Sequence, residues 1–213
     1  MSSIKKIARI PLLVTMALLL AAQTGCLGID SENKEQVELT SDGKIVQTIV
    51  DDSGDSVTGE ELENYINDKI KNYQGTSGAI ALERCRVKDG KVNIVLRYDS
   101  VGDYSTFNNV TCYSGTLKEA YAAGYDFNRS FYAKNGVQLP YFTLSVTYPD
   151  SKVLILEENV TVKLPGELLA MSNGVTIAED GAISVTQAGD DSIPADLQTT
   201  TASPVFLIYK NSK

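Results

Sequence analysis

The residues that could do chemistry are few in kind. The 213-residue chain contains no histidine. Serine–histidine–aspartate triads, histidine metal ligands and histidine general bases are therefore all excluded. A cysteine nucleophile would lack its usual imidazole partner, and no Gly-x-Ser-x-Gly elbow occurs. What remains is 27 acids, three cysteines and 11 tyrosines. Paired carboxylates would suit glycoside hydrolysis, but no spacing marks one pair among so many. The cluster Asp51, Asp52, Asp55, Glu60 and Glu61 offers oxygen ligands for Ca²⁺, yet Gly54 falls out of EF-hand register. It reads instead as a solvated loop entering a helix whose N-terminus favours negative charge. No cofactor and no metal is expected, and whether the chain is an enzyme stays open, with the balance toward no.

Eight of the 11 tyrosines fall between positions 98 and 148, joined by Phe107, Phe127, Phe131 and Phe142. One reading is a binding platform, since tyrosine offers an apolar body and a polar tip. Tyr104, Tyr113, Tyr125 and Tyr132 are its candidate contacts. The other reading, which we favour for most of these rings, is bulk for the core of a chain without tryptophan.

Cys26 carries the most specific signal. Lys5, Lys6 and Arg9 precede an apolar run of 13 residues, Ile10 to Ala22. A spanning helix needs about 20 apolar residues, so this run reads as a secretory signal. Gln23-Thr24-Gly25-Cys26 follows as a bacterial lipobox, with glutamine where leucine is usual. Residues 1–25 are then the signal peptide, Cys26 is the lipidated first residue of the mature chain, and 26–36 is a polar tether. The expected location is the outer side of the cell membrane, held by acyl chains on Cys26. The formal charge is −8, and after loss of the first 25 residues 16 bases face 27 acids. Such a balance argues against nucleic acid as a partner.

The elements that would position these residues divide at Gly136. Residues 37–136 read as a hairpin–helix–hairpin unit. Asp42-Gly43, Asp89-Gly90 and Asp180-Gly181 each sit between strand-like runs and suit two-residue turns. Pairing Val87 with Val92 sets Cys85 opposite Ile94 and Glu83 opposite Leu96. Thr58-x-x-Glu61 is a capping box opening a helix with Leu62, Tyr65, Ile66, Lys69, Ile70 and Tyr73 at helical spacing. A short helix is expected over 101–108, a strand over 110–113, and a second capped helix from Thr116-x-x-Glu119 to Ala123. Residues 137–213 read as strands and turns only: 141–148, 153–156, 160–164, 167–172, the 180–181 hairpin and 205–209, with a polar loop over 188–204. The fold class is α+β: antiparallel hairpins with one main amphipathic helix and short helices, then a β-rich part, as a meander or solenoid-like curl packed on the first unit.

With the Cys26 lipobox stand Ser41-Asp42-Gly43-Lys44, the Glu60-Glu61-Leu62 helix start, Val87-Lys88-Asp89-Gly90-Lys91-Val92, Asp103-Tyr104 with Phe107-Asn108, Ala122-Ala123-Gly124-Tyr125-Asp126-Phe127 and Glu157-Glu158-Asn159-Val160-Thr161-Val162. Together they resemble small uncharacterised lipoproteins of anaerobic gut Firmicutes. The resemblance covers most of the mature chain. It implies location and a single fold unit, and carries over no catalytic residue. Its anaerobic habitat also bears on Cys85 and Cys112. These could bridge if their strands were neighbours, and the habitat favours two buried, unbridged thiols near each other. The expected function is a non-catalytic binding or interaction module at the cell envelope, toward an envelope or extracellular ligand. The alternative is a carbohydrate-active or peptidoglycan-directed hydrolase using paired carboxylates.

Overall fold

The computed structural model describes residues 35–52, 57–140, 143–186 and 203–211. Cys26, the signal sequence, Asp55 and most of the polar loop over 188–204 lie outside the described residues. The fold is mixed α/β and mostly β, with its strands in two sheets. The strands are β1 (Gln36–Leu39), β2 (Ile45–Asp52), β3 (Ile80–Lys88), β4 (Lys91–Tyr98), β5 (Cys112–Thr116), β6 (Phe131–Ala133), β7 (Gln138–Leu139), β8 (Lys152–Leu156), β9 (Val160–Lys163), β10 (Gly166–Ser172), β11 (Val175–Ile177), β12 (Ile183–Val185) and β13 (Val205–Asn211). The helices are α1 (Gly59–Lys71), α2 (Val101–Asn108), α3 (Leu117–Ala122) and α4 (Thr143–Thr147). The first sheet runs β11-β12-β9-β1-β2-β4-β3 and the second β5-β8-β13-β10-β6-β7. All pairings are antiparallel except β1 with β9.

The proposed division at 136/137 does not separate the sheets. β8, β10 and β13 enter the second sheet while β9, β11 and β12 enter the first. The later half of the chain alternates between the sheets, which excludes a meander or a solenoid curl. The physical cause is burial. β4 alternates buried and half-buried residues, as a strand with one covered face must. β8 and β13 instead carry unbroken apolar runs, Val153–Leu156 and Val205–Tyr209, all buried. Such strands need cover on both faces. One face of the second sheet meets the first sheet in a shared core built from Leu39, Ile94, Leu96, Leu154, Leu156 and Leu207. Its other face meets α3, α4 and the Phe127–Phe131 loop through Leu117, Leu144, Phe131, Phe206 and Ile208.

Local chemistry sets the turns and caps. At Asp89-Gly90 both residues have positive φ, 52° and 73°, as the two-residue hairpin requires. The other two Asp-Gly pairs differ. Gly43 and Gly181 alone are left-handed, and the loops are wider, closed by Thr40 N–H to Lys44 O and Ala178 N–H to Ala182 O. The β3–β4 register matches expectation at Val87–Val92 and Cys85–Ile94 but not at Glu83. A bulge there sets Leu82, not Glu83, opposite Leu96. Along the chain the bulge moves the inward face from even to odd positions, so Ile80 and Leu82 join Cys85 and Val87 in the core. Both capping boxes form, Thr58 with Glu61 and Thr116 with Glu119.

The run expected as a strand over 141–148 contains α4 instead. A helical turn sets Leu144 and Tyr148 on one side, four apart, and both join the outer core of the second sheet. The two described cysteines are free. Cys85 is half-buried on β3, at one edge of the first sheet, and Cys112 is buried on β5, at one edge of the second. Their strands are therefore not sheet neighbours.

Candidate functional site

A groove opens beside the first sheet. α1, packed against β3, and α2, packed against β4 and β5, leave about 770 Å³ between them. Its floor is Ile49 of β2 with Ile94 and Leu96 of β4, and Ile49 and Ile94 are directly paired across the strands. One wall is the stripe Tyr65, Ile66, Lys69 and Tyr73 from α1 and its end. The other is Thr106, Phe107 and Asn108 at the close of α2, with Asn109. Asn109 caps α2 in the left-handed region, φ 54°, a conformation asparagine tolerates better than most residues.

The walls are fixed to each other. Tyr73 Oη donates to Asp103 Oδ1 at 2.9 Å, and its ring meets Phe107 edge-on with centroids 5.9 Å apart. A Cβ on Gly75 would sit 2.3 Å from the Tyr73 ring, so glycine there lets the ring lie across the chain turn. Burial and the nearby Asp103 carboxylate push the Tyr73 phenol up from its ordinary value. α1 owes its start to its cap and its seat to Leu62 and Ile66, the two fully inward positions of its apolar stripe.

Behind Phe107 the aromatic contacts continue inward, to Tyr98 at 5.9 Å and from Tyr98 to Tyr104 at 5.1 Å. A buried polar network accompanies them. Tyr98 Oη donates to Gln47 Oε1 at 2.7 Å and accepts from Asn108 Nδ2 at 3.2 Å. Tyr104 Oη donates to Glu158 Oε2. Glu158 is only 5% exposed, and burial raises its carboxyl against the opposing pull of the Tyr104 hydroxyl. Glu35 is raised to about 7, by burial first, then by the carboxylates of Glu158 and Asp51. Cys112 and Cys85 are both shifted up, chiefly by burial. Both thiols stay protonated near neutrality, the opposite of an activated nucleophile.

The four tyrosines considered as ligand contacts do not gather at one place. Tyr104 is fully buried, so its ring presents no surface to a ligand. It belongs to the core reading instead. Tyr113 and Tyr125 pack together at 4.8 Å beside the outer core of the second sheet, and Tyr132 lies half-buried on β6. None of the four lines the groove. Its rings are Tyr65, Tyr73 and Phe107. The signal for them was present in the α1 stripe: a lysine, Lys69, interrupts an otherwise apolar helix face, which a fully covered face would not admit. Among the described residues no three acids or thiols gather as a metal site, and no helix is long and apolar enough to cross a membrane. Compared with known protein families, with curated proteins and with solved structures, the chain finds no match.

Proposed function

We propose that the chain is a lipid-anchored extracellular lipoprotein, held to the cell membrane through acylated Cys26, and that it is a non-catalytic binding module whose ligand enters the groove between α1 and α2. The observation that supports the binding role is the groove itself. Its volume of about 770 Å³ lies within the usual range for small-molecule sites, about 300–1,000 Å³. It has the ordinary composition of such sites, an apolar floor with a few polar groups at the rim. Here the rim is Asn72, Gln74, Asn108 and Asn109 with Thr106 and Lys69.

A paired-carboxylate hydrolase is the second reading, and Glu35 is what favours it. A carboxyl raised to about 7 beside Glu158 has the protonation of a general acid. Against it, Glu158 is buried and engaged by Tyr104, where a substrate would not reach it.

The test of the binding role uses Nile red, an uncharged apolar dye whose emission shifts to the blue in apolar surroundings. The expected result is saturable one-site binding that Thr106→Trp abolishes, because a large ring at this exposed wall position fills the groove. Dye binding absent, or unchanged in the variant, overturns the reading. For the anchor, a palmitate analogue should label the wild type and not Cys26→Ser. Label retained in the variant would overturn lipidation at that residue.

A further inference from the structure

Resting on the binding role just proposed for this groove, we infer that its ligand is a single-chain amphiphile: an unbranched acyl chain with an anionic headgroup, taken from the bilayer to which the protein is tethered. Three observations carry this.

The first is what the floor lacks. β2 is paired on one side to β1 and on the other to β4, and β4 is paired to β2 and β3. The floor therefore presents side chains of Ile49, Ile94 and Leu96 and no free sheet edge. An extended peptide brings an N–H and a C=O with every residue, and each needs a partner once buried. A sugar brings hydroxyls with the same need. An acyl chain brings none, so, unlike a peptide or a sugar, it fills an aliphatic floor without leaving polar groups unsatisfied.

The second is charge. Among the described residues the groove lining contains one charged residue, Lys69, and no acid, in a chain of net charge −8. Lys69 stands at the wall with its ammonium 5.6 Å from the Tyr65 ring centroid. An anionic head beside Lys69, with the amides of Asn72 and Gln74 nearby, places the polar end at the rim and the chain on the floor.

The third is position. β1 register sets Gln36 opposite Thr48, so residue 35 lies beside Ile49, a floor residue. Nine residues, 26 to 34, join that point to the proposed lipidated cysteine. Fully extended, they span at most about 30 Å. The groove is thus confined to the neighbourhood of the membrane surface, where single-chain amphiphiles partition.

The experiment uses the whole chain carrying Cys26→Ser, so that no acyl group of its own competes, with palmitate, decanoate and hexadecanol as probes and Nile red as the displaced dye. Palmitate should displace the dye and bind far more tightly than decanoate, since each buried methylene contributes about fourfold in affinity until the groove is full. Lys69→Glu should weaken palmitate at least fivefold and leave hexadecanol unchanged. Thr106→Trp should block both. Both substitutions are at exposed positions, and an unchanged thermal midpoint verifies folding. Dye binding without displacement by palmitate overturns the amphiphile and leaves the groove as a site, whereas no dye binding removes both. Equal affinity for palmitate and decanoate overturns the acyl chain. An unaltered palmitate affinity in Lys69→Glu overturns the anionic head. If the lipidated wild type refuses palmitate that the Cys26→Ser chain accepts, the occupant is the protein's own acyl group and not a bilayer amphiphile.

Discussion

β13 and β4 are each paired on both sides within their sheets, yet they do different work. Along β13 every side chain from Val205 to Tyr209 is buried, because the first sheet covers one face and α3, α4 and the Phe127–Phe131 loop cover the other. Along β4 burial alternates, and on its covered face the cover is shared between the second sheet and two short helices. Where those helices part, Ile94 and Leu96 become the floor of a groove. The difference teaches where each kind of property can reside. A strand enclosed on both faces supplies stability and offers no surface. A strand whose covered face is bordered by helices keeps its burial, with Ile94 and Leu96 each 4% exposed, and still lines a groove. Substitutions in the two regions should therefore separate folding from binding.

The largest effect is expected at Phe206. It is fully buried, meets Phe127 at 5.0 Å and Phe131 at 6.1 Å, and carries the Arg129 guanidinium over its face at 4.2 Å. Phe206→Ala should cost about 3–5 kcal/mol, measured by urea denaturation. A loss below about 1 kcal/mol would break the contrast, because the outer core would then not be a stabilising one.

Gly166 comes next. A Cβ there would stand 2.0 Å from the backbone oxygen of Lys210, on the strand paired with it. Backbone cannot rotate away as a side chain can, so Gly166→Ala should cost about 1–3 kcal/mol. Hydrogen exchange should locate the loosening in β10 and β13 and leave β2 and β4 protected.

On the groove side, Thr58→Ala removes the hydroxyl that accepts from the Glu61 N–H at 3.2 Å. The expected cost is about 1 kcal/mol. Its signature is local: faster exchange in the first turns of α1 and a weaker groove, with the second sheet untouched. Global loosening instead would mean that the two regions are one cooperative block.

How much of this was legible beforehand follows from the range of the interactions. The capping boxes, the Gly90 turn and the α1 stripe are local, and Thr58, Glu61 and Asp89 spell them out within a few residues. The shift of inward phase between Leu82 and Cys85 was also present in the sequence, since apolar residues change from even to odd positions there. The alternation of β8 to β13 between sheets was not. Which sheet a strand joins depends on partners far along the chain, as with β1 and β9, and no local pattern encodes it. The groove was half legible. Lys69 marked an uncovered helix face, but the opposing wall at Phe107 and Asn109 is brought there by α2 packing alone. Tyrosine density pointed instead to the core and to the outer face of the second sheet.

The smallest effect concerns Glu35 and the direction of pH dependence. Its carboxyl is raised to about 7 by burial and then by Glu158 and Asp51, so the folded chain holds a proton there that the unfolded chain releases near the usual 4.5. Below about 4.5 both states are protonated and Glu35 contributes nothing to the balance. As pH rises through that value the unfolded chain ionises first, and stability falls until the folded group also ionises near 7. Above that the cost is constant. The group is half-exposed, so solvent screening holds the cost to under about 1 kcal/mol. Glu35→Gln should therefore raise the thermal midpoint at pH 8 by a few degrees at most, and leave it unaltered at pH 4. Glu158 is shifted in the same sense by burial, so the variant should keep part of the alkaline decline rather than abolish it. A variant less stable than wild type at pH 8 would mean that the Glu35 charge is welcomed at the point where the chain enters the first sheet.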